Sequence, residues 1–105
     1  MRVSYHAQDN PTDNFDAEVD LNICSWMIQN LKSQKARLVI SVSDKVDLDF
    51  NVEDDGTIWL EIYQSNLYTS AFVSKQIAIK VLEAALRNFD GKEPIDCVPA
   101  LNEIP

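Results

Sequence analysis

Acidic side chains alternate with hydrophobic ones in two stretches, and their carboxylates are the groups in this chain best able to do chemistry. The stretches run from Phe15 to Ile23 and from Val46 to Glu53. Carboxylates can bind calcium, and a pair of them can hydrolyse a glycosidic bond. However, Val52 and Ile58 stand where a calcium-binding EF-hand loop requires glycine and glutamate. A chain of 105 residues is also short for a deep catalytic cleft. We therefore predict neither activity.

Histidine and cysteine are the other side chains that could catalyse a reaction or bind a metal. His6 is the one histidine, and Cys24 and Cys97 are the two cysteines. Two cysteines and one histidine are too few for a structural zinc site, which usually has four such ligands. No third group that would orient His6 toward a nucleophile can be identified. We predict no catalytic residue, no metal and no cofactor, and an enzyme that uses Cys97 or His6 is the least favoured alternative.

An alternation with a period of two is the pattern of a β-strand, whose successive side chains point to opposite faces. The two acidic stretches and the β-branched or aromatic runs predict five to six strands, at 2–8, 15–23, 36–43, 46–53, 57–63 and 67–73. Asp54-Asp55-Gly56 predicts a hairpin turn, because glycine readily adopts the positive φ that such turns require. Short turns between consecutive strands favour an antiparallel meander.

Two helices are predicted, each with a serine as its N-cap. Ser25 is the expected cap of a helix over 26–35, and Ser74 is the expected cap of a helix that ends at Asp90-Gly91. A proline-containing tail from about residue 92 is expected to be extended. The predicted fold is a single α+β domain over residues 1–105, an antiparallel meandering sheet of five to six strands with two helices packed on one face.

The net charge of the chain is −8, with eleven acids and five bases in residues 1–55. Nucleic acids and anionic membranes are disfavoured as partners, since both are bound through lysine and arginine. The first six residues lack the apolar segment of a signal peptide, and no run approaches the ~20 apolar residues of a membrane span. We therefore expect a cytoplasmic location and reduced cysteines.

An acidic surface attracts basic proteins, and aromatic side chains ringed by charge are typical anchors of protein interfaces. On strand 57–63, aliphatic side chains that form the core face would leave the alternate side chains outward, beside the acids of the neighbouring strand. The alternative is a sheet covered on both faces, for instance by the tail, in which Trp59 is buried. The predicted partner-binding residues are Asp16, Glu18, Asp20, Asp47, Asp49, Glu53, Trp59, Glu61 and Tyr63.

The acidic strand faces, the Trp59–Tyr63 pair and the lack of a catalytic motif together resemble the bacterial immunity proteins of contact-dependent and other polymorphic toxin systems. The resemblance covers the whole chain and consists of class features, so no functional residue is transferred from it. It implies a stoichiometric inhibitor that blocks a basic toxin or nuclease. The same features resemble phage-encoded inhibitors such as anti-CRISPR proteins, which imply a nucleic-acid-binding effector as the target.

A homo-oligomeric adaptor or structural protein is the alternative from a different class. In that hypothesis, the contact between copies is formed by Trp59, Tyr63, Leu67 and Tyr68, and the acids keep the assembly soluble. Homo-oligomerisation is possible on these grounds but is not favoured.

Overall fold

A computed structural model describes residues 1–7, 15–31, 36–64 and 67–87 of the chain. The elements it contains are β1 (Arg2–Ala7), β2 (Phe15–Glu18), α1 (Leu21–Gln29), β3 (Ala36–Ser43), β4 (Val46–Val52), β5 (Ile58–Gln64), β6 (Leu67–Val73) and α2 (Lys75–Arg87). The strands form one antiparallel sheet in the order β2-β1-β3-β4-β5-β6. The predicted α+β fold class is confirmed.

Strands β3 to β6 form the predicted meander, in which each strand pairs with the next along the chain. A two-residue turn at 44–45 joins β3 to β4, and Gly56, with a φ of +87°, lies in the turn that joins β4 to β5. The other end of the sheet is not a simple meander, because β1 lies between β2 and β3. The chain therefore crosses from one side of β1 to the other through α1.

The predicted strand over 15–23 is correct in its first half and wrong in its second half. β2 ends at Glu18, and α1 begins at Leu21, because the Asp20 carboxylate accepts a hydrogen bond of 2.9 Å from the Ile23 N–H and so caps the helix. Hydrophobic side chains at 21, 24, 27 and 28 form a helical stripe that competes with the alternation. Ser25, the predicted cap, lies inside the helix.

Both helices pack on one face of the sheet. The alternate apolar side chains of β3, β4 and β5 point toward them and are buried, as predicted. The sheet side of the core includes Val3, Leu38, Ile40, Leu48, Phe50, Leu60, Ile62 and Val73, and the helix side includes Cys24, Ile28, Ile77, Val81 and Leu82. Neither described helix is long and apolar enough to cross a membrane.

The N-terminal cap of α2 is confirmed, since the Ser74 hydroxyl accepts a hydrogen bond of 3.2 Å from the Ile77 N–H. The predicted end of this helix at Asp90-Gly91, the tail from about 92 and Cys97 lie outside the described residues.

Candidate functional site

The sheet turns one face toward the helices, and its opposite face, here named the outer face, is covered by no described helix or strand. Side chains at alternate positions of all six strands lie on it, since the two faces alternate along each strand and paired residues share a face. Trp59, Glu61 and Tyr63 lie there, as the alternation predicts. Three exposed aromatic side chains share this face, Tyr63 at 43%, Tyr68 at 55% and Phe72 at 46%.

The register of β4, β5 and β6 arranges nine outer-face side chains in three rows across the strands. Residues directly opposite one another in an antiparallel pair have their Cβ atoms about 5 Å apart, so each row is a line of neighbours. The first row is Asp47, Tyr63 and Tyr68, the second is Asp49, Glu61 and Ser70, and the third is Asn51, Trp59 and Phe72.

Two aromatic pairs flank Glu61 along the strands. The Trp59 and Phe72 ring centroids are 4.6 Å apart, those of Tyr63 and Tyr68 are 5.1 Å apart, and both pairs are tilted. Tilted contacts at such distances are favourable because the positive edge of one ring approaches the negative face of the other. The two pairs place aromatic side chains on both sides of the Glu61 carboxylate. This surface therefore combines side chains that can anchor a partner with one negative charge.

Glu61 accepts hydrogen bonds from both tyrosines of its neighbouring row. The Tyr63 hydroxyl donates to Oε2 at 2.7 Å and the Tyr68 hydroxyl donates to the same oxygen at 3.0 Å. The hydrogen bond from Tyr63 lowers the pKa of Glu61, and those from Tyr68 and Trp59 and the positive charge of Arg37 act in the same direction, although partial burial opposes the change. The same carboxylate raises the pKa of Tyr63 to about 12. Glu61 is therefore a fixed negative charge at neutral pH.

Asp49 was expected among the exposed acids, and that prediction is wrong. The residue is 5% exposed, although it lies on the outer face. Arg37, on the neighbouring strand β3, donates from Nη2 to Asp49 Oδ2 at 2.7 Å and from Nε to both carboxylate oxygens at 3.1 Å. Asn51 donates a further hydrogen bond of 3.2 Å to Oδ1. These donors cover the carboxylate, so Asp49 links β3 to β4 and is a structural residue.

The acids near β2 are also less free than the alternation predicts. Asp16 forms an ion pair with Arg2 Nε at 3.1 Å, and Glu18 forms one with the Met1 amino group at 3.3 Å. Asp20 is the helix cap described above and lies outside the sheet. The register separates β2 from β4 by two strands, so these acids are remote from the three rows.

Asp47 and Glu53 are exposed, as predicted, and neither has an ion-pair partner among the described residues. Asp47 lies in the first row, directly opposite Tyr63. Glu53 follows β4 in the hairpin turn, where its backbone N–H donates to the Thr57 carbonyl at 2.8 Å. Of the six aspartates and glutamates predicted on strands 15–23 and 46–53, Asp47 is therefore the one that adds unpaired charge beside the aromatic pairs.

Five residues of the site were not among the predicted partner-binding residues, namely Arg37, Asn51, Tyr68, Ser70 and Phe72. Tyr68 was named only for a contact between copies, and Phe72 and Arg37 were not named. The alternation of Tyr68, Ser70 and Phe72 along 67–73 was the signal that could have placed both aromatic residues beside β5. Arg37 could have been found only from the register between β3 and β4, because its side chain reaches diagonally from its partner Asn51 to Asp49.

The residues considered for catalysis do not converge in the described part of the chain. His6 is exposed on β1, and Cys24 is buried in the core, where desolvation raises the pKa of its thiol. Among residues 1–7, 15–31, 36–64 and 67–87, no three histidine, cysteine, aspartate or glutamate side chains are grouped so that they could hold a metal ion. The absence of a cofactor and of catalysis stays a prediction of the sequence.

The chain was compared with protein-family models, curated proteins and solved structures, and none of them matches it.

Proposed function

We propose that this protein is a stoichiometric inhibitor that binds a basic protein partner through the outer face, as an immunity protein binds its toxin or nuclease. The observation that carries the proposal is the set of two aromatic pairs around the Glu61 carboxylate, on a face that no described helix or strand covers. Exposed aromatic side chains next to a charge are the usual anchors of an interface. A cytoplasmic location and the absence of enzymatic activity are part of the same proposal.

The composition of the outer face favours a protein partner over other ligands. Tyr63, Tyr68 and Phe72 offer rigid aromatic area that is already ordered by ring contacts and hydrogen bonds, so little conformational entropy is lost when a partner covers it. Such preorganisation is typical of interfaces that bind a partner without changing shape.

Charge favours a basic partner. Glu61 and Asp47 are negative side chains without a cationic partner at ion-pair distance in the described residues, and the whole chain has a net charge of −8. Long-range attraction accelerates the encounter with a positive surface such as a nucleic-acid-binding cleft. Occupation of that cleft by the outer face would block the partner's own substrate.

The proposal is tested by capture of the partner from the native cell with the tagged chain, followed by binding measurements at increasing salt. A basic protein bound one to one, with an association rate that falls as salt rises, supports the proposal. An acidic partner or salt-insensitive association contradicts it. The Glu53→Gln variant is the charge control, because it removes one exposed acid that lies outside the three rows.

The contact between two copies of the chain is the second candidate function for this face. The observation that favours it is the position of Tyr68 and Phe72 on β6, which has one neighbouring strand in the described sheet. A strand with an open edge is a template for pairing with another chain. A monomer by light scattering at high concentration contradicts this alternative.

An inhibitor of a nucleic-acid-binding phage-defence effector differs from the leading proposal only in the identity of the basic partner.

A further inference from the structure

The nine side chains of the three rows, here together named the trough, are neighbours on the outer face with the Glu61 carboxylate at their centre. Trp59 and Tyr63 are four residues apart on β5, so their Cα atoms are about 13 Å apart, with Glu61 midway between them. The Trp59–Phe72 pair lies on one side of Glu61, and the Tyr63–Tyr68 pair lies on the other side. The middle row, which consists of Asp49, Glu61 and Ser70, lies between the two aromatic pairs.

The two carboxylates of the middle row have different partners. Asp49 has the guanidinium of Arg37 as its counter-ion. Its cross-strand partner Glu61 accepts hydrogen bonds from two uncharged hydroxyl groups, both on Oε2. The Trp59 side chain also forms a hydrogen bond that lowers the pKa of Glu61. A carboxylate has about four acceptor positions, so three donors leave Glu61 with its charge and with acceptor capacity. Arg37 attracts Glu61 electrostatically but forms its ion pair with Asp49, so these three charged groups together retain one net negative charge between the aromatic pairs.

We infer that the trough receives one arginine side chain of the partner. This inference rests on the proposed function, because it identifies the group by which a basic protein is recognised. A guanidinium can stack on aromatic rings while its N–H groups donate to a carboxylate, and it loses less hydration than an ammonium group does. The middle row already contains one guanidinium–carboxylate interaction of this kind, since Arg37 makes three N–H···O contacts of 2.7–3.1 Å with Asp49.

The experiment uses the full chain and needs no identified partner. N-acetyl-arginine amide is titrated into the protein labelled with nitrogen-15, and the indole N–H signals of its two tryptophans are followed. Trp59 lies in the trough, whereas Trp26 is 62% exposed on α1 in the helical layer and serves as the internal control. We expect the Trp59 signal to shift with a saturating dependence on the arginine amide while the Trp26 signal stays in place.

Neutral and cationic analogues separate charge from shape. N-acetyl-citrulline amide has nearly the same shape as the arginine probe without its charge, and N-acetyl-lysine amide has the charge without the planar group. Both should bind more weakly than the arginine amide. Equal binding of the citrulline probe overturns the inference, and equal binding of the lysine probe overturns the assignment to arginine. These comparisons use the unaltered protein, so they stand even where a variant fails to fold.

Two variants with the same change in charge locate the site. Glu61→Gln should weaken binding of the arginine amide about fivefold or more, because it removes a charge-assisted hydrogen bond, whereas Glu53→Gln should leave binding unchanged. Equal affinities for the two variants contradict the inference.

If a basic protein is captured but the arginine amide does not bind, this inference fails alone. If the amide binds but the captured partner is acidic, the proposed function fails.

Discussion

The buried Asp49 carboxylate and the Arg37 guanidinium form an ion pair of 2.7 Å that lies on the outer face, with the Arg37 side chain 55% exposed and that of Asp49 7% exposed. The pair occupies the middle row, where Asp49 is directly opposite Glu61. Like charges directly opposite one another destabilise a sheet, and Arg37 offsets this repulsion. The hydrogen bond to Asp49 raises the pKa of Arg37.

Replacing Asp49 with Asn should therefore lower the free energy of unfolding by about 1 kcal/mol, because the hydrogen bonds that Arg37 donates lose the negative charge of their acceptor. Replacing Asp47 with Asn should change that free energy by less than about 0.5 kcal/mol, since Asp47 is exposed. Urea denaturation of the two variants, which carry the same substitution on one strand, measures both effects. Equal losses would show that the ion pair does not stabilise the sheet.

Much of the fold could be predicted from the sequence because local signals agree with the final packing. Along β4 and β5 the alternation, the short turn at 44–45 and Gly56 all indicate a hairpin meander, and the core face follows from the aliphatic positions. Between residues 15 and 23 the signals conflict, since the same hydrophobic residues fit a strand and a helix. The helix forms because Asp20 caps it, so an acid that seemed to belong to a strand face is a local structural residue.

The site could be predicted only in part, because it depends on which strands are neighbours. Trp59, Glu61 and Tyr63 share a strand, and the alternation suffices to place them together. The aromatic partners Tyr68 and Phe72 come from β6, and the burial of Asp49 depends on Arg37 from β3. Neither the side to which a strand pairs nor the diagonal reach of an arginine is encoded in a local pattern.

The Asp20 cap predicts a difference between two positions of α1. Replacing Asp20 with Ala should lower the free energy of unfolding by about 1 kcal/mol, because the Ile23 N–H loses its acceptor. Replacing Ser25 with Ala should have an effect within about 0.5 kcal/mol, since Ser25 lies inside the helix and Ala has the higher helix propensity. Thermal or urea unfolding of the two variants checks this, and a larger loss for Ser25→Ala would contradict the observed start of the helix.

The hydrogen bond between Tyr63 and Glu61 predicts an unusual titration. Glu61 raises the pKa of Tyr63 from its ordinary value near 10 to about 12, so the folded protein holds this proton more tightly than the unfolded chain. The resulting stabilisation is complete below about pH 10 and is lost as the pH rises toward 12. Absorbance at 295 nm, compared between the protein and its Tyr63→Phe variant, isolates the phenol. Glu61→Gln should return the pKa of Tyr63 toward 10, and an unchanged titration would contradict the assigned partner.

Exposed charge should affect the rate of association with the partner more than the rate of dissociation. Replacing Asp47 with Asn should slow association roughly twofold at low salt and weaken its salt dependence, because the charge acts mainly before contact. Asp49 is neutralised by Arg37, so its own charge should contribute less to steering. Stopped-flow or surface-based kinetics measure both rates, and a change confined to dissociation would contradict the assignment of Asp47 to steering.

The Trp59–Phe72 contact makes a prediction for stability and another for binding. The ring centroids are 4.6 Å apart, so a double-mutant cycle with Trp59→Ala and Phe72→Ala should give a coupling energy of about 0.5–1.5 kcal/mol in urea unfolding. Trp59 lies on the outer face and outside the core cluster, so the Trp59→Ala variant should still fold. Each single variant loses the ring contact, and the cycle separates this loss from that of the individual side chains.

In the complex, the same Trp59→Ala variant should dissociate faster with little change in its association rate. Truncation of a covered aromatic anchor costs ~2 kcal/mol or more, which corresponds to roughly 30-fold faster dissociation. Trp26→Ala is the matched control, because Trp26 is exposed in the helical layer and lies far from the outer face. An equal effect of the two variants on dissociation would contradict the outer face as the binding surface. A loss of stability in Trp59→Ala without any change in dissociation would assign the aromatic pair to the fold alone.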